Sequence, residues 1–255
     1  MLSTDPFRPA RSLALYDWPE IIDFSKHVSF LIDIQEEIGV IPCKLEIQES
    51  RQKKKKLTSI STVNKLITTI EKFGTFNEFQ FTRPIEKNYI NPEVQITMDR
   101  KPYSNYHVQK NELEFGLFDA VQHVRTFCKE FTPEYGFTTV MPSYESFWFC
   151  GGVSTTSMDR ETTKRASAID ELRLPVGTPF PIKGRFHDIY ELNVFSPKHL
   201  DRDVFGQSLT KWIAQGGRGE LVPIKKNVTL WLVPDNIRPH IRQQFFKAGL
   251  LLVPI

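Results

Sequence analysis

The chain has 255 residues, a net charge of +3 and a pI of about 8.6, with 40% apolar and 25% charged residues. That balance suits a globular protein of one large domain or two small lobes. It is too weakly basic to imply a nucleic-acid partner, and it is opposite in sign to the strongly acidic face of a nucleic-acid mimic. The three cysteines, Cys43, Cys128 and Cys150, form no CxxC pair and no even set. Neither a zinc site nor a disulfide framework is indicated, and reduced cytosol is the simplest compartment. No apolar run reaches membrane-spanning length, and residues 1–19 carry no continuous apolar segment of the signal-peptide kind. The expectation is therefore a cytoplasmic protein without a membrane partner. Twenty phenylalanines point to an aromatic core.

In chain order, residues 1–17 read as irregular. A helix starts at Pro19, with Phe24, Val28, Leu31 and Ile38 on one face and Gly39 as its stop. Residues 40–47 read as a strand, and 50–57 as a basic loop holding Arg51, Lys53, Lys54, Lys55 and Lys56. Ser61 is placed to cap a second helix, with Val63, Leu66, Ile67, Ile70 and Phe73 on its face and Gly74 at its end. Strands are predicted at 78–82, 94–98 and 112–115. The spacing of Leu117, Val121, Val124, Cys128 and Phe131 predicts a third helix, ended before Pro133. A strand at 137–141 leads into the aromatic run 144–149. Residues 151–168, rich in Gly, Ser and Thr, read as the most flexible internal segment, with a short surface helix at 163–172.

Residues 186–255 read as one closing unit. Phe186, Ile189, Tyr190, Leu192, Val194 and Phe195 form an apolar run of strand length, broken by Pro197 and Lys198. Leu209, Trp212 and Ile213 mark a short helix ended by Gly216 and Gly217. A hairpin follows. Its first strand, 220–225, contains Pro223 and belongs at an edge or a bulge. Its second, 227–233, is apolar on both faces and belongs inside a covered sheet. The last helix begins at an Asp235 or Asn236 cap, holds Pro239 in its first turn, buries Ile237, Ile241, Phe245 and Ala248, and stops at Gly249. The fold class is α+β or α/β: a mixed, largely antiparallel sheet flanked by helices. Residues 1–255 read as a single domain, with 151–183 as the place where a lobe boundary would fall.

The order Asp188-Ile-Tyr190, Asn193, Ser196, His199-Leu200, Gly206, Leu209, Trp212-Ile213, Gly219-x-Leu221, Trp231-x-Val233-Pro234, Arg242 and Gly249-Leu250 covers the last quarter to third of the chain. It resembles the C-terminal portion of immunity proteins from bacterial polymorphic-toxin and type VI secretion systems, in particular the immunity family numbered fifty-two, which accompanies restriction-endonuclease-like toxins. Its motif residues are mostly packing residues. The resemblance implies a non-enzymatic binding protein whose partner is a cognate secreted toxin, expected to be a nuclease, neutralised by a tight non-covalent complex.

Read for chemistry, the residues leave few openings. His187–Asp188 has the form of a metal-phosphohydrolase doublet, but the six histidines are scattered, so no ligand set assembles. An uncharacterised hydrolase using His187 and Asp188 is the alternative function. Pro234–Asp235 has no following acidic residue to complete a restriction-type site. Glu145 and Glu191 lack an acidic partner at a diagnostic spacing, and Ser154 and Ser157 are not in a G-x-S-x-G elbow. Gly216–Gly217–Arg218–Gly219 lacks the Walker spacing and reads as a helix stop. His199 and His240, near helix starts, read as structural. Lys53–Lys56 reads as a solvated loop without interleaved aromatics, the other reading being a nucleic-acid accessory contact. No catalytic, metal or cofactor residue is assigned. Partner contact is assigned to Tyr144, Glu145, Phe147 and Trp148, beside the flexible segment.

Overall fold

The computed structural model describes residues 9–16, 29–34, 37, 44–49, 56–59, 68, 76–86, 89–99, 104–150, 155–172 and 186–253. Most of the helix expected from Pro19, nearly all of the Ser61 helix, the basic run apart from Lys56, and Cys43 lie outside them. The strands are β1 (Pro9–Tyr16), β2 (Lys44–Glu49), β3 (Lys56–Ser59), β4 (Phe76–Glu86), β5 (Tyr89–Asp99), β6 (Ser104–Asn111), β7 (Tyr135–Pro142), β8 (Leu192–Phe195), β9 (Asp203–Val204), β10 (Gln207–Ser208), β11 (Glu220–Lys225) and β12 (Val228–Leu232). The helices are α1 (Leu117–Phe127), α2 (Ser143–Cys150), α3 (Arg160–Leu172), α4 (Pro197–Leu200), α5 (Leu209–Ala214) and α6 (Arg238–Lys247), and residues 29–34 are also helical.

Ten of the described strands form one sheet in the order β11-β12-β8-β7-β1-β6-β5-β4-β2-β3, and β9 and β10 make a separate two-stranded ribbon. Every described strand pairing is antiparallel. The class is thus α+β. Alternation along each strand sends side chains to opposite faces. On the first face Leu13, Leu15, Val108, Val194 and Leu230 meet α1, through Val124 and Phe127, and the helical residues Leu31, Ile32 and Ile34. On the second face Ala14, Tyr16, Phe137, Phe195 and Trp231 meet Phe149 of α2, Ile169 of α3, Trp212 of α5 and Phe245 of α6. Helices therefore cover both sides of the sheet's β6–β12 portion.

The sequence periodicities explain several elements directly. In α1, Ala120, His123, Val124 and Phe127 share the buried face. Its first turn is closed by the Gly116 N–H, which donates to Asp119 Oδ2 at 2.8 Å. At its other end Lys225 Nζ donates to the carbonyls of Cys128 at 2.8 Å and Phe131 at 2.5 Å, a cation placed on the free carbonyls of a helix terminus. The hairpin matches expectation: β12 lies between β11 and β8, and β11 is an edge strand with a register shift at Pro223/Lys225. Gly216 and Gly217, at φ 90° and 69°, turn the chain after α5.

Other expectations need correcting. Residues 9–16, read as irregular, form β1 between β6 and β7, near the middle of the sheet. Both faces of β1 are covered, so no alternation of apolar and polar residues marks it, and Ser12 is as buried as Leu13. Residues 112–115 are a turn. The strand there is β6, which the polar composition of His107, Gln109 and Lys110 concealed. The aromatic run 144–149, to which the sequence assigns no element, is helical within α2. The helix expected at 163–172 starts at Arg160, where Asp159 Oδ1 accepts the Thr162 N–H at 2.7 Å, and it buries Ala166, Ala168 and Ile169. Of the apolar run after Phe186 only Leu192–Phe195 is strand. The cap of α6 is Ile237, without a side-chain hydrogen bond; Asp235 instead pairs with Arg238, and Ala248 is exposed.

Candidate functional site

Among the described residues, a dense set of buried polar groups surrounds the short stretch before β8. The Phe186 N–H donates to Leu250 O at 3.0 Å, and its carbonyl accepts from the Leu252 N–H at 2.9 Å, so the C-terminal segment pins this stretch from one side. Asn193 pins it from the other. Its Oδ1 accepts from the Tyr190 N–H at 3.1 Å, and its Nδ2 donates to Tyr190 O at 2.8 Å and Trp231 O at 3.2 Å. Between these ties the His187 and Asp188 side chains are 0% exposed.

Asp188 is held by two arginines from two helices. Its Oδ1 accepts from the Ile189 N–H at 2.8 Å and from Arg242 Nε of α6 at 2.7 Å, and its Oδ2 lies 3.1 Å from Arg165 Nε of α3. Arg242 also reaches Glu161 of α3 at 3.4 Å. The Arg165 guanidinium lies over the rings of Phe149 and Tyr190 at 5.5 and 5.6 Å. His187 is equally committed. Its Nε2 faces the Arg165 carbonyl at 2.8 Å, and a carbonyl only accepts, so Nε2 carries the proton. Nδ1 then accepts from the Tyr190 hydroxyl at 2.6 Å. Burial lowers the His187 pKa to about 4, so the ring is neutral at physiological pH. The arrangement ties α3, α6 and the 186–190 stretch together and shows neither carboxylate nor imidazole to solvent.

The other sequence-assigned residues sit apart from this network. His199 is buried, accepts or donates at Ser196 Oγ over 3.1 Å, and its pKa is also lowered to about 4 by burial. His240 is exposed beside Gln244. Glu191 forms an ion pair with Arg11. Among the described residues no group of three or more His, Cys, Asp or Glu is gathered to hold a metal ion, and no helix is long and apolar enough to cross a membrane. On α2, Tyr144 is half-buried and donates its hydroxyl to Glu145 Oε1 at 2.6 Å. Glu145 is only 8% exposed, so as a contact residue it offers little area. The Phe147 and Trp148 side chains lie outside the described residues.

Sequence reading missed Arg165 as a partner of Asp188, because Arg165, like the Glu161 that pairs with Arg242, stands in the segment read as flexible surface. A signal existed in that Asp188 and Arg242 both belong to the ordered motif of the closing unit. It also missed the turn before α1 and the start of that helix, where Leu113 is 88% and Phe118 71% exposed.

No family model matches the chain, and no curated protein matches it. Among solved structures it is similar to the Pseudomonas aeruginosa T6SS protein PA0821, with a TM-score of 0.59 and 14% sequence identity over 96% of this chain and 73% of that one. At that identity the likeness establishes a shared fold.

Proposed function

We propose that this protein is an immunity factor of a type VI or polymorphic-toxin system that binds a cognate secreted toxin of the nuclease class and neutralises it stoichiometrically in the cytoplasm. The observation that carries the reading is the fold likeness, along nearly the whole chain, to a T6SS protein of Pseudomonas aeruginosa. No family model matches the chain, family fifty-two included, and the role within such a system is proposed from the resemblance of the closing unit to immunity proteins of these systems. The commitment of His187 and Asp188 to buried hydrogen bonds and ion pairs agrees with a fold-holding use of these residues. A stoichiometric inhibitor needs only a rigid surface that excludes the toxin's substrate. An interface of about 1,200–2,000 Å² is enough for tight binding when a few anchors are well buried.

Co-expression with the toxin domain encoded beside this gene tests the reading. The expected outcome is a complex of fixed stoichiometry on size-exclusion chromatography and rescue of growth. Failure of both would reject it. Rescue by far fewer molecules of this protein than of toxin would instead support an enzymatic activity.

A further inference from the structure

The turn between β6 and α1 has the construction of a partner-binding anchor. Its backbone is fixed from within. Asn111 Oδ1 accepts from the Leu113 N–H at 3.1 Å, and the Asn111 carbonyl accepts from the N–H groups of Glu114 and Phe115, each at 2.9 Å. The Glu112 N–H reaches Pro9 O of β1 at 3.4 Å, and Gly116 closes onto Asp119. Phe115, 1% exposed and edge-on to His123 at 6.1 Å, plugs the turn into the first face of the sheet. A turn secured in this way could have carried polar tips. Instead Leu113 on the turn is 88% exposed and Phe118, in the first turn of α1, 71%, the two most exposed large apolar side chains among the described residues.

A third apolar side chain belongs to the same end of the molecule. Val140, 42% exposed, is in register with Arg11, as is Lys110 on the opposite side of β1. Arg11 lies two residues from Leu13 and therefore shares the face that α1 covers. Val140 thus stands on the α1 side, where β6 ends and α1 begins.

The charge of this segment selects the partner. From Lys110 to Asp119 the sequence reads KNELEFGLFD, with three acidic residues against one basic, in a chain whose net charge is +3. The nearby cation of Arg11 is taken up by Glu191. Exposed apolar anchors on a preorganised backbone, in an acidic stretch of sequence, fit a basic surface containing an apolar recess.

We infer that Leu113 and Phe118, with Glu112, Glu114 and Asp119 beside them in sequence, form the surface that docks the toxin, and that the toxin presents a basic face to it. The inference rests on the function proposed above. A nuclease supplies such a face wherever it contacts phosphates, so docking there would also block its substrate.

The test uses the full-length protein and the purified toxin domain encoded beside it. Binding is measured for wild type, Leu113→Ala/Phe118→Ala, Glu112→Gln/Glu114→Gln and, as a control on α6, Lys247→Ala, with thermal melts confirming that each variant is folded. The apolar double variant should weaken binding at least about 30-fold, chiefly through faster dissociation. The glutamine pair should slow association and flatten its dependence on salt. The control should bind as wild type does. Wild-type affinity in the folded apolar variant, with the wild-type complex intact, would overturn this surface and leave the proposed function standing. An association rate insensitive to salt would overturn the basic partner. A dimer of the free protein that the apolar variant dissolves would reassign the surface to self-association. Absence of any wild-type complex would defeat the proposed function and this assignment together.

Discussion

The two faces of the sheet are built from different materials. On the first, α1 and residues 29–34 pack Val124, Phe127, Leu31 and Ile32 onto Leu13, Leu15 and Val108. Its principal polar insertion is His123, which faces the Tyr106 hydroxyl over 2.5 Å. On the second, aromatic packing of Phe137, Phe195, Trp231 and Phe245 surrounds polar groups that include Asp188, His187 and Asn193. An apolar face tolerates substitutions of similar volume, because burial is non-directional. A face threaded by hydrogen bonds and ion pairs holds its helices in one arrangement, and it fails sharply when one partner is removed. The second face thus fixes how α3 and α6 sit on the sheet, while the first mainly supplies burial.

Acid should be the most destructive perturbation, and it tests whether buried histidines act on both faces. His123, His187 and His199 are lowered by burial to about 4, and His107 to about 3, from 6.5. Between those values the unfolded chain binds protons that the folded chain refuses. Stability is therefore complete above pH 6.5 and falls as the pH drops toward 4, each unit of difference being worth about 1.4 kcal/mol per ring. Denaturant melts from pH 8 to pH 4 should show a steep loss of midpoint below pH 6.5; a flat profile would mean that the rings are accessible to protons.

Asp188→Asn sharpens the contrast. It keeps the side chain's shape but leaves Arg165 and Arg242 without their carboxylate, and it should cost about 3–5 kcal/mol. Phe127→Leu, on the first face, should cost markedly less because it retains most of the apolar volume. Equal losses in chemical denaturation would erase the distinction between the faces.

Gly136→Ala probes the strand shared by both layers. An added Cβ would lie 2.7 Å from the Ala14 carbonyl oxygen and 2.7 Å from Leu15 Cδ2, so β7 and β1 would have to separate. A loss of about 1–3 kcal/mol is expected; an unchanged melting temperature would show that the strands can part at no cost. The smallest effect belongs to Lys198→Ala, which removes the exposed pair with Glu134 (72% and 43% exposed). It should change stability by about 0–1 kcal/mol, and a larger fall would show that α4 depends on this contact.

The sequence by itself determined the elements whose burial is local and one-sided. The spacing of Leu117, Val121 and Val124 marks α1, the glycines after α5 mark its end, and Pro223 marks an edge strand. Each follows from backbone geometry or from a 3.6-residue stripe, which needs no knowledge of distant residues. The aromatic burial of Trp231 and Phe245 was legible for the same reason. Only the tertiary structure decided the centre of the sheet. In β1, Ser12 is buried with a hydroxyl contact to Ser146, and in β6 His107 and Gln109 are buried although both are polar. Polar residues enter a core when a partner far along the chain meets their hydrogen bonds, and no local pattern announces that partner. The same holds for the candidate sites. Asp188 could be singled out in the sequence, but its meaning lay with Arg165 and Arg242, and the exposure of Leu113 and Phe118 emerged only when the fold buried their neighbour Phe115 and left them outside.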